Sequence, residues 1–517
     1  MSRQSLAAAA LLAACVFPSA AHAAPTQVSI MQDDDQLVYR DDATRDNALR
    51  QMKALGVDVV RVTVLWKNVA AKVSRKTART KDLRISRTYG VKTWNRYDNL
   101  VRSAQQLGIG VYFSVTGPAP AYAHGKGPKA ERQVVKDAWE PSPQQFGKFV
   151  TALGRRYSGT YKDEDTGGAL LPRVAFWGLW NEPNQAGWLA PQYKFSRTAK
   201  KVVPYSPVLY RQLFYRGRKA LDDTGHGRDV ILIGETAPLG SSAQGRRSPI
   251  RPAKFLRELL CVNAQGRKLT GRSARARNCS DFDKFGSLRA SAWGHHPYTK
   301  DLPPTQKDRS HDSITMANLN DLGVLIDRFA KTKRIASGLP IVSTEFGYET
   351  NPPDRFSGQT LEHQAEYLNE GDYIAAQNPR VLSQTQFILK DAPPVRGAKP
   401  NTKPYWFTYQ SGLFFADGTP KPAAAAYALP FVANNGGGAI NVWGQLRFRP
   451  NNITDQVQIE ALGADGAWAA VGAPIQVTNP MGYFSAALPG AGPGQYRAHW
   501  TGAEAPGDVA SRTVAVG

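Results

Sequence analysis

Cysteine is nearly absent from this chain. There are three in 517 residues, Cys15, Cys261 and Cys279. So sparse a set excludes a disulfide-built scaffold and a zinc ribbon. The sequence also lacks an HExxH pair, a paired CxxC, a glycine-rich phosphate loop ending in Gly-Lys and a G-x-S-x-G elbow. Those absences remove zinc proteases, P-loop nucleotide hydrolases and serine α/β-hydrolases. The acidic run Asp33-Asp34-Asp35 is too short for a calcium loop. No cofactor and no metal is therefore expected. Long apolar runs are missing as well. The longest candidate, SLAAAALLAACVF from Ser5 to Phe17, falls short of the ~20 residues a membrane helix needs.

That short apolar stretch has a different reading. Arg3 precedes it, and Ala21-His22-Ala23 comes after it with the small-x-small pattern of a cleavage site. Residues 1–23 are expected to be a secretory signal peptide, and the mature chain to be extracellular. Lipid attachment at Cys15, in Leu12-Ala13-Ala14-Cys15, is the alternative. Export agrees with the other two cysteines. Cys261 and Cys279 flank a basic polar stretch, and in an oxidising compartment they are expected to form one disulfide.

Acidic residues are scarce relative to basic ones. Lys and Arg number 65, Asp and Glu 42, for a net charge of +23. The excess lies upstream, since Gly438 to Gly517 holds four Arg, no Lys and five acids. Runs such as KVSRKTARTK (Lys72 to Lys81) and RRSPIRPAKFLR (Arg246 to Arg257) carry it. Two readings stand: attraction to an anionic polymer such as a cell wall, or a solvated Arg-rich surface. No nucleic-acid motif accompanies the charge, so a nucleic-acid partner is not expected.

Alternation, by contrast, is abundant. From about Gln27 to Ala433, stripes with helical spacing are succeeded by short runs rich in Val and Ile. Leu49, Met52 and Leu55 precede VDVVRVTVLW. Tyr97, Leu100, Val101 and Ala104 precede IGVYFSV. Phe146, Phe149, Val150 and Leu153 precede VAFWGLW. With VSIM, DVILIGE, SAWGHHPY, LPIVSTEF and LSQTQFIL, eight strands are predicted. Repeated strand–helix units make a parallel sheet, and eight of them fit a closed (β/α)₈ barrel over 24–433. An open doubly wound sheet usually carries a glycine-rich turn after its first strand, and none is present. Past Asn434-Asn435-Gly436-Gly437-Gly438 there are only short alternating strands, which predict a small β-sandwich over 438–517. Its aromatics Trp443, Trp468, Tyr483, Tyr496 and Trp500 are read as its packing core, with carbohydrate binding as the alternative. Asn452-Ile453-Thr454 is a glycosylation sequon.

In such a barrel, chemistry sits at the C-terminal strand ends. The fourth strand ends in Asn181-Glu182, within WGLWNEPN, and the seventh in Glu345. The sixth ends in His295-His296-Pro297-Tyr298, and the second carries Arg61 and leads to Trp66. Two carboxylates facing one bond are the means of glycosidic cleavage: one protonates the leaving oxygen, the other attacks or activates water. A carboxylate closing an apolar run is costly unless it is used or paired.

WNEPN and IVSTEFGY resemble the acid/base and nucleophile motifs of the clan A glycoside hydrolases, the retaining (β/α)₈-barrel enzymes, closest in flavour to the cellulase-type families 5 and 39. The resemblance spans most of Gln27 to Pro430 and includes Trp94, Tyr97 and Asp98 and the closing segment GLFFADGTPKPAAAAY. It implies Glu182 as acid/base and Glu345 as nucleophile. It implies Asn181 at the sugar 2-hydroxyl, Arg61 near the nucleophile, and His296 and Tyr298 as the strand-six pair whose Tyr supports it. Where the clan often has a Trp at the end of strand eight, this chain has Phe387 and Asp391, with Trp406 further on.

The physical reading runs in parallel. Glu345 is expected to be held ionised by Arg61 and Tyr298, and Glu182 protonated at its apolar strand end. Glu235 also ends a strand and competes for a site role or for a basic partner. Trp66, Trp188 and Trp406 are candidate platforms for sugar faces, whereas Trp180 is expected in the packing. The sequence therefore predicts a secreted retaining hydrolase acting as a monomer on a polysaccharide or glycoconjugate. The alternatives are a transglycosylase using the same two Glu residues and a non-catalytic carbohydrate-binding protein.

Overall fold

The computed structural model describes residues 27–131, 134–449, 454–502 and 507–517. The signal segment with Cys15, and Asn452 of the sequon, lie outside the described residues.

Eight parallel strands close into a barrel. They are β1 (Val28–Gln32), β2 (Val59–Leu65), β3 (Gly110–Thr116), β4 (Phe176–Leu179), β5 (Val230–Thr236), β6 (Ala292–His295), β7 (Ile341–Ser343) and β8 (Val381–Phe387). β8 pairs with β1 over Val28–Gln32, which completes the ring. The helices that come after the strands are α1 (Asp42–Ala54), α2 (Asn95–Gln106), α3 (Pro143–Arg156), α4 (Ser206–Asp223), α5 (Pro252–Leu259), α6 (Leu319–Ala330), α7 (Leu361–Ala376) and α8 (Pro422–Ala428). Among the described residues no helix is long and apolar enough to cross a membrane.

Strand alternation sorts the core into two shells. In β2, Val60, Val62 and Val64 join the large cluster between strands and helices. Val59 joins a separate small cluster with Val28, Ile30, Tyr112, Phe176, Leu232, Ala292 and Val342, which fills the barrel interior. Arg61 has the same parity as Val59 and is fully buried. A cation inside a ring of apolar strands must be paired to be tolerated. Trp94, Tyr97 and Asp98 are all buried. Asp98 accepts from Arg156 at 2.7 Å, which ties α2 to α3.

The loop after β5 carries the Cys261–Cys279 disulfide, with Cα atoms 5.9 Å apart. Arg211 of α4 donates to the carbonyl of Leu259 beside it at 2.8 Å.

Beyond α8 the chain forms antiparallel sheets around their own apolar core. A three-stranded sheet contains β9 (Phe431–Asn435), β10 (Ala439–Gln445) and β14 (Tyr483–Pro489). A second is built on β11 (Gln456–Leu462) and β15 (Gly494–Thr501), joined by β12 (Trp468–Ala470), β13 (Ile475–Gln476), β16 (Asp508–Ala510) and β17 (Val514–Val516). This is a β-sandwich. Phe431 and Ala433 belong to its core, so the chain enters the sandwich just before the glycine run. Tyr496 and Trp500 are buried in that core, Trp443 and Tyr483 are buried outside it, and Trp468 lies under Arg497, 4.3 Å from guanidinium to ring.

The sandwich docks on α7. Trp443 and Tyr483 pack against Tyr373 and Ala376. Arg447 donates to Asp372 at 2.8 Å and to the Tyr427 carbonyl at 2.8 Å. Gly56 (φ +85°) lies so near that a Cβ there would fall 2.1 Å from the Arg447 carbonyl oxygen.

Candidate functional site

The motif WGLWNEPN shapes the rim of the barrel. β4 stops at Leu179, and Trp180 and Glu182 then adopt left-handed backbone, φ 82° and 38°. Non-glycine residues rarely do so, and the conformation persists only where neighbours fix it. Here Trp180 N–H donates to the Val115 carbonyl at 2.9 Å, Asn181 N–H to Thr116 Oγ1 at 3.0 Å, and Glu182 N–H to the Glu235 carbonyl at 2.9 Å. The reversal sends Trp180 into the shell, edge-on to Phe146 at 5.2 Å. Asn181 and Glu182 are left lining the cleft.

Arg61 is the hub beneath them. Its guanidinium donates to Glu345 Oε1 at 2.7 Å, Glu235 Oε2 at 2.7 Å and Asn181 Oδ1 at 2.8 Å, and also to Gln32 Oε1. Burial alone lowers the proton affinity of such a group. The charges of Glu235 and Glu345 overcome that and hold Arg61 well above its ordinary range. Glu235 settles into this lower layer, also accepting from Ser114 Oγ at 2.7 Å and from the Tyr112 hydroxyl. It pairs with the base and does not line the cleft. Room for it comes from Gly178, where a Cβ would fall 1.7 Å from Glu235 Oε1.

Glu345 lies just past β7 and is 9 % exposed. Besides Arg61 it accepts from the Tyr298 hydroxyl at 3.2 Å. Burial, then the charges of Glu345 and Glu182, push the Tyr298 phenol well above its usual range, so it remains a donor. The two adjacent histidines divide their tasks. His295 bonds Thr236 Oγ1 and the Ile314 carbonyl, each at 2.9 Å, and burial pushes it down to about 3. It is neutral scaffolding. His296 places Nδ1 2.9 Å from Glu182 Oε1 and 3.5 Å from Glu345 Oε2. One carboxylate oxygen from each Glu and a ring nitrogen of His296 all lie within 4.8 Å of one another. Such a trio is compact enough to hold a cation, and equally suited to a bond lying between two carboxylates.

Above the pair opens a cleft of about 570 Å³. Trp188, Tyr298, Phe387 and Tyr409 give it aromatic walls. Asp34, Asp301 and Glu349 add carboxylates, and Lys300 is the one cationic residue among the described residues lining it. Burial, then the charges of Asp354, Asp301 and Asp391, pushes Glu349 up to about 7.

Arg61, Asn181, Glu182, His296, Tyr298 and Glu345 thus come together, and Trp188 joins them on the wall. Trp66 does not. Trp66 follows the end of β2 with the parity of Val60, Val62 and Val64, so alternation already points it out of the barrel, where it opens a short helix, Trp66–Val69. There it is fully buried and stacked on Phe149 at 5.8 Å. Trp406 packs on Tyr405 and lies off the cleft wall. Tyr409, Asp34 and Glu349 are cleft residues that motif reading misses. Asp34 stands two residues past the end of β1, and a survey of every strand end would have found it. Tyr409 and Glu349 lie on loops without a pattern.

The chain matches no protein-family model, and no curated protein matches it. Among solved structures it is similar to a family 39 glycoside hydrolase from Bacteroides cellulosilyticus WH2, at 13% identity and TM-score 0.46, covering 92% of this chain and 81% of that one. It is similar to a glucosidase from Croceicoccus marinus, at 12% identity and TM-score 0.47, covering 92% and 82%. An endo-beta-1,4-mannanase from Thermotoga petrophila also matches, at 12% identity and TM-score 0.39, covering 95% and 98%. Likeness at this level leaves the chemistry to be argued from the side chains.

Proposed function

We propose that this protein is an exported retaining glycoside hydrolase that cleaves a β-linked polysaccharide or glycoconjugate by double displacement. The observation that carries the reading is the convergence of one carboxylate oxygen of Glu182 and one of Glu345 within 4.8 Å, with His296 bridging them and Arg61 behind Glu345. Retaining enzymes hold their carboxyl groups about 5–5.5 Å apart, and inverting ones about 6.5–9.5 Å, to admit a water.

In the first step Glu345 attacks the anomeric carbon while Glu182 gives its proton to the departing oxygen. The glycosidic bond breaks and a glycosyl ester forms on Glu345. In the second, Glu182 takes a proton from water, whose oxygen attacks the same carbon, and Glu345 leaves as a carboxylate. Arg61 and Tyr298 stabilise the carboxylate form of Glu345. His296 donates from Nδ1 to whichever Glu bears the negative charge, which steadies the pair as the charge moves. Asn181 spends its oxygen on Arg61, which leaves its amide N–H groups for a sugar hydroxyl.

The test is release of reducing ends from a panel of neutral and acidic polysaccharides, with aryl glycosides alongside. Glu345→Gln is expected to lose at least about 10³-fold on every substrate. Glu182→Ala is expected to lose far less on aryl glycosides whose leaving groups need no proton. Equal turnover by wild type and Glu345→Gln would remove Glu345 as nucleophile. New linkages in place of reducing ends would mark a transglycosylase.

A further inference from the structure

A second hollow, of about 420 Å³, lies beside the catalytic cleft. Tyr39 lines both, so the two cavities share a wall. Their linings differ in sign. The cleft presents Asp34, Glu182, Asp301, Glu345 and Glu349 against Lys300. The hollow presents Lys72, Lys92 and Arg96 and, among the described residues, no carboxylate. All three cations are exposed, and the Arg96 guanidinium lies 5.7 Å from the centre of the Tyr39 ring. Lys72 also opens the basic run to Lys81, so Arg75, Lys76 and Arg79 extend the same charge on a short exposed helix, Arg75–Thr80. Cations spread over a convex surface are screened by water. Gathered around one concavity whose lining holds no acid, they focus a positive field into it.

We propose that the hollow lined by Lys72, Lys92 and Arg96 is a subsite for a carboxylate or sulfate substituent on a glycan whose scissile sugar sits across Tyr39 in the cleft. The glycan half of this rests on the glycosidase reading; the anion half does not. The acidic cleft repels an anionic sugar at the reacting bond, while the hollow attracts one further along the chain. The substrate class is therefore a polysaccharide with intermittent negative groups, cut at an uncharged unit. Asn68, also in the lining, adds a side-chain amide that can donate to such an oxyanion.

The test uses the full chain and three probes on one backbone: dextran, carboxymethyl-dextran and dextran sulfate, in affinity electrophoresis at low salt. The triple variant Lys72→Gln, Lys92→Gln, Arg96→Gln is compared with an equal charge change elsewhere, Arg267→Gln, Lys268→Gln, Arg272→Gln, at exposed residues lining neither cavity. Wild type is expected to bind the charged dextrans and not the neutral one. The hollow variant is expected to bind about tenfold more weakly, and the control variant within about twofold of wild type. Carboxymethyl-dextran against dextran sulfate tells which anion is preferred. Equal weakening in both variants, or no binding by wild type, would overturn the subsite. Aryl glycoside turnover by wild type and by the control variant, expected equal, reports separately on the catalytic reading. Selective loss of polyanion binding in a protein with no turnover would keep the subsite and sink the glycosidase.

Discussion

Glu349 is a cleft residue whose charge its surroundings oppose. Burial and three neighbouring acids raise its carboxyl from 4.5 to about 7. The sign comes from linkage: a raised acid holds its proton in the folded state while the unfolded chain has already lost it. Stability therefore falls as pH rises from 4.5 to about 7, and levels off above. Glu349→Gln removes this titration. Its melting temperature is expected to match wild type near pH 4.5, exceed it progressively to pH 7, and hold a constant lead beyond. A lead that shrinks with pH would show Glu349 to be stabilised as a carboxylate. At this scale the sequence was informative where residue type and position coincide. Glu182, Glu345 and Arg61 could be placed because carboxylates and a guanidinium in apolar strands have few other uses. Trp66 shows the opposite. Its type allowed a sugar platform, but it shares the parity of Val60, Val62 and Val64 in β2, and the period of two alone would have put it in the outer shell.

Among the elements, β4 offers the sharpest test, because its glycine is a packing requirement of the site. Gly178 faces Glu235 and the Tyr112 hydroxyl, which a Cβ would approach to 1.7 and 2.5 Å. Gly178→Ala must push Glu235 away, and Arg61 with it. Overpacking of this kind costs about 1–3 kcal/mol. The expected result is a lower melting temperature together with a fall in kcat, since Arg61 also holds Glu345. A stability loss with kcat unchanged would show that Glu235 and the catalytic layer are uncoupled. The order of strands and helices was legible from hydrophobic period alone, because each element buries one face. The left-handed turn at Trp180 and Glu182 was not, since it depends on carbonyls and hydroxyls from β3 and β5.

The whole molecule is a barrel braced by a sandwich. Arg447 reaches into the junction, ion-paired to Asp372 and 4.2 Å from the centre of the Tyr427 ring. Breaking a buried pair from one side costs about 3–5 kcal/mol, because the remaining charge is stranded. Asp372→Ala is expected to lower the melting temperature by several degrees while kcat below the transition stays the same. A variant as stable as wild type would mean the junction is wet and the sandwich loosely held. Composition showed that a β-sandwich comes after the barrel. It located no docking face, because Trp443 and Tyr483 look the same in sequence whether they meet sugar or α7. The net charge of +23 was equally ambiguous in sequence, where nothing tells that Lys72, of the run to Lys81, lines the hollow beside the cleft.

The proposal that matters most is that Glu182 and Glu345, whose nearest carboxylate oxygens lie within 4.8 Å, work by double displacement. The most direct measurement is proton NMR of the first-formed product from a β-linked aryl glycoside that the enzyme turns over, recorded before mutarotation. The account expects the β-anomer to appear first and the α-anomer only later. The α-anomer appearing first would mean inversion, and would contradict the assignment of Glu345 as a nucleophile.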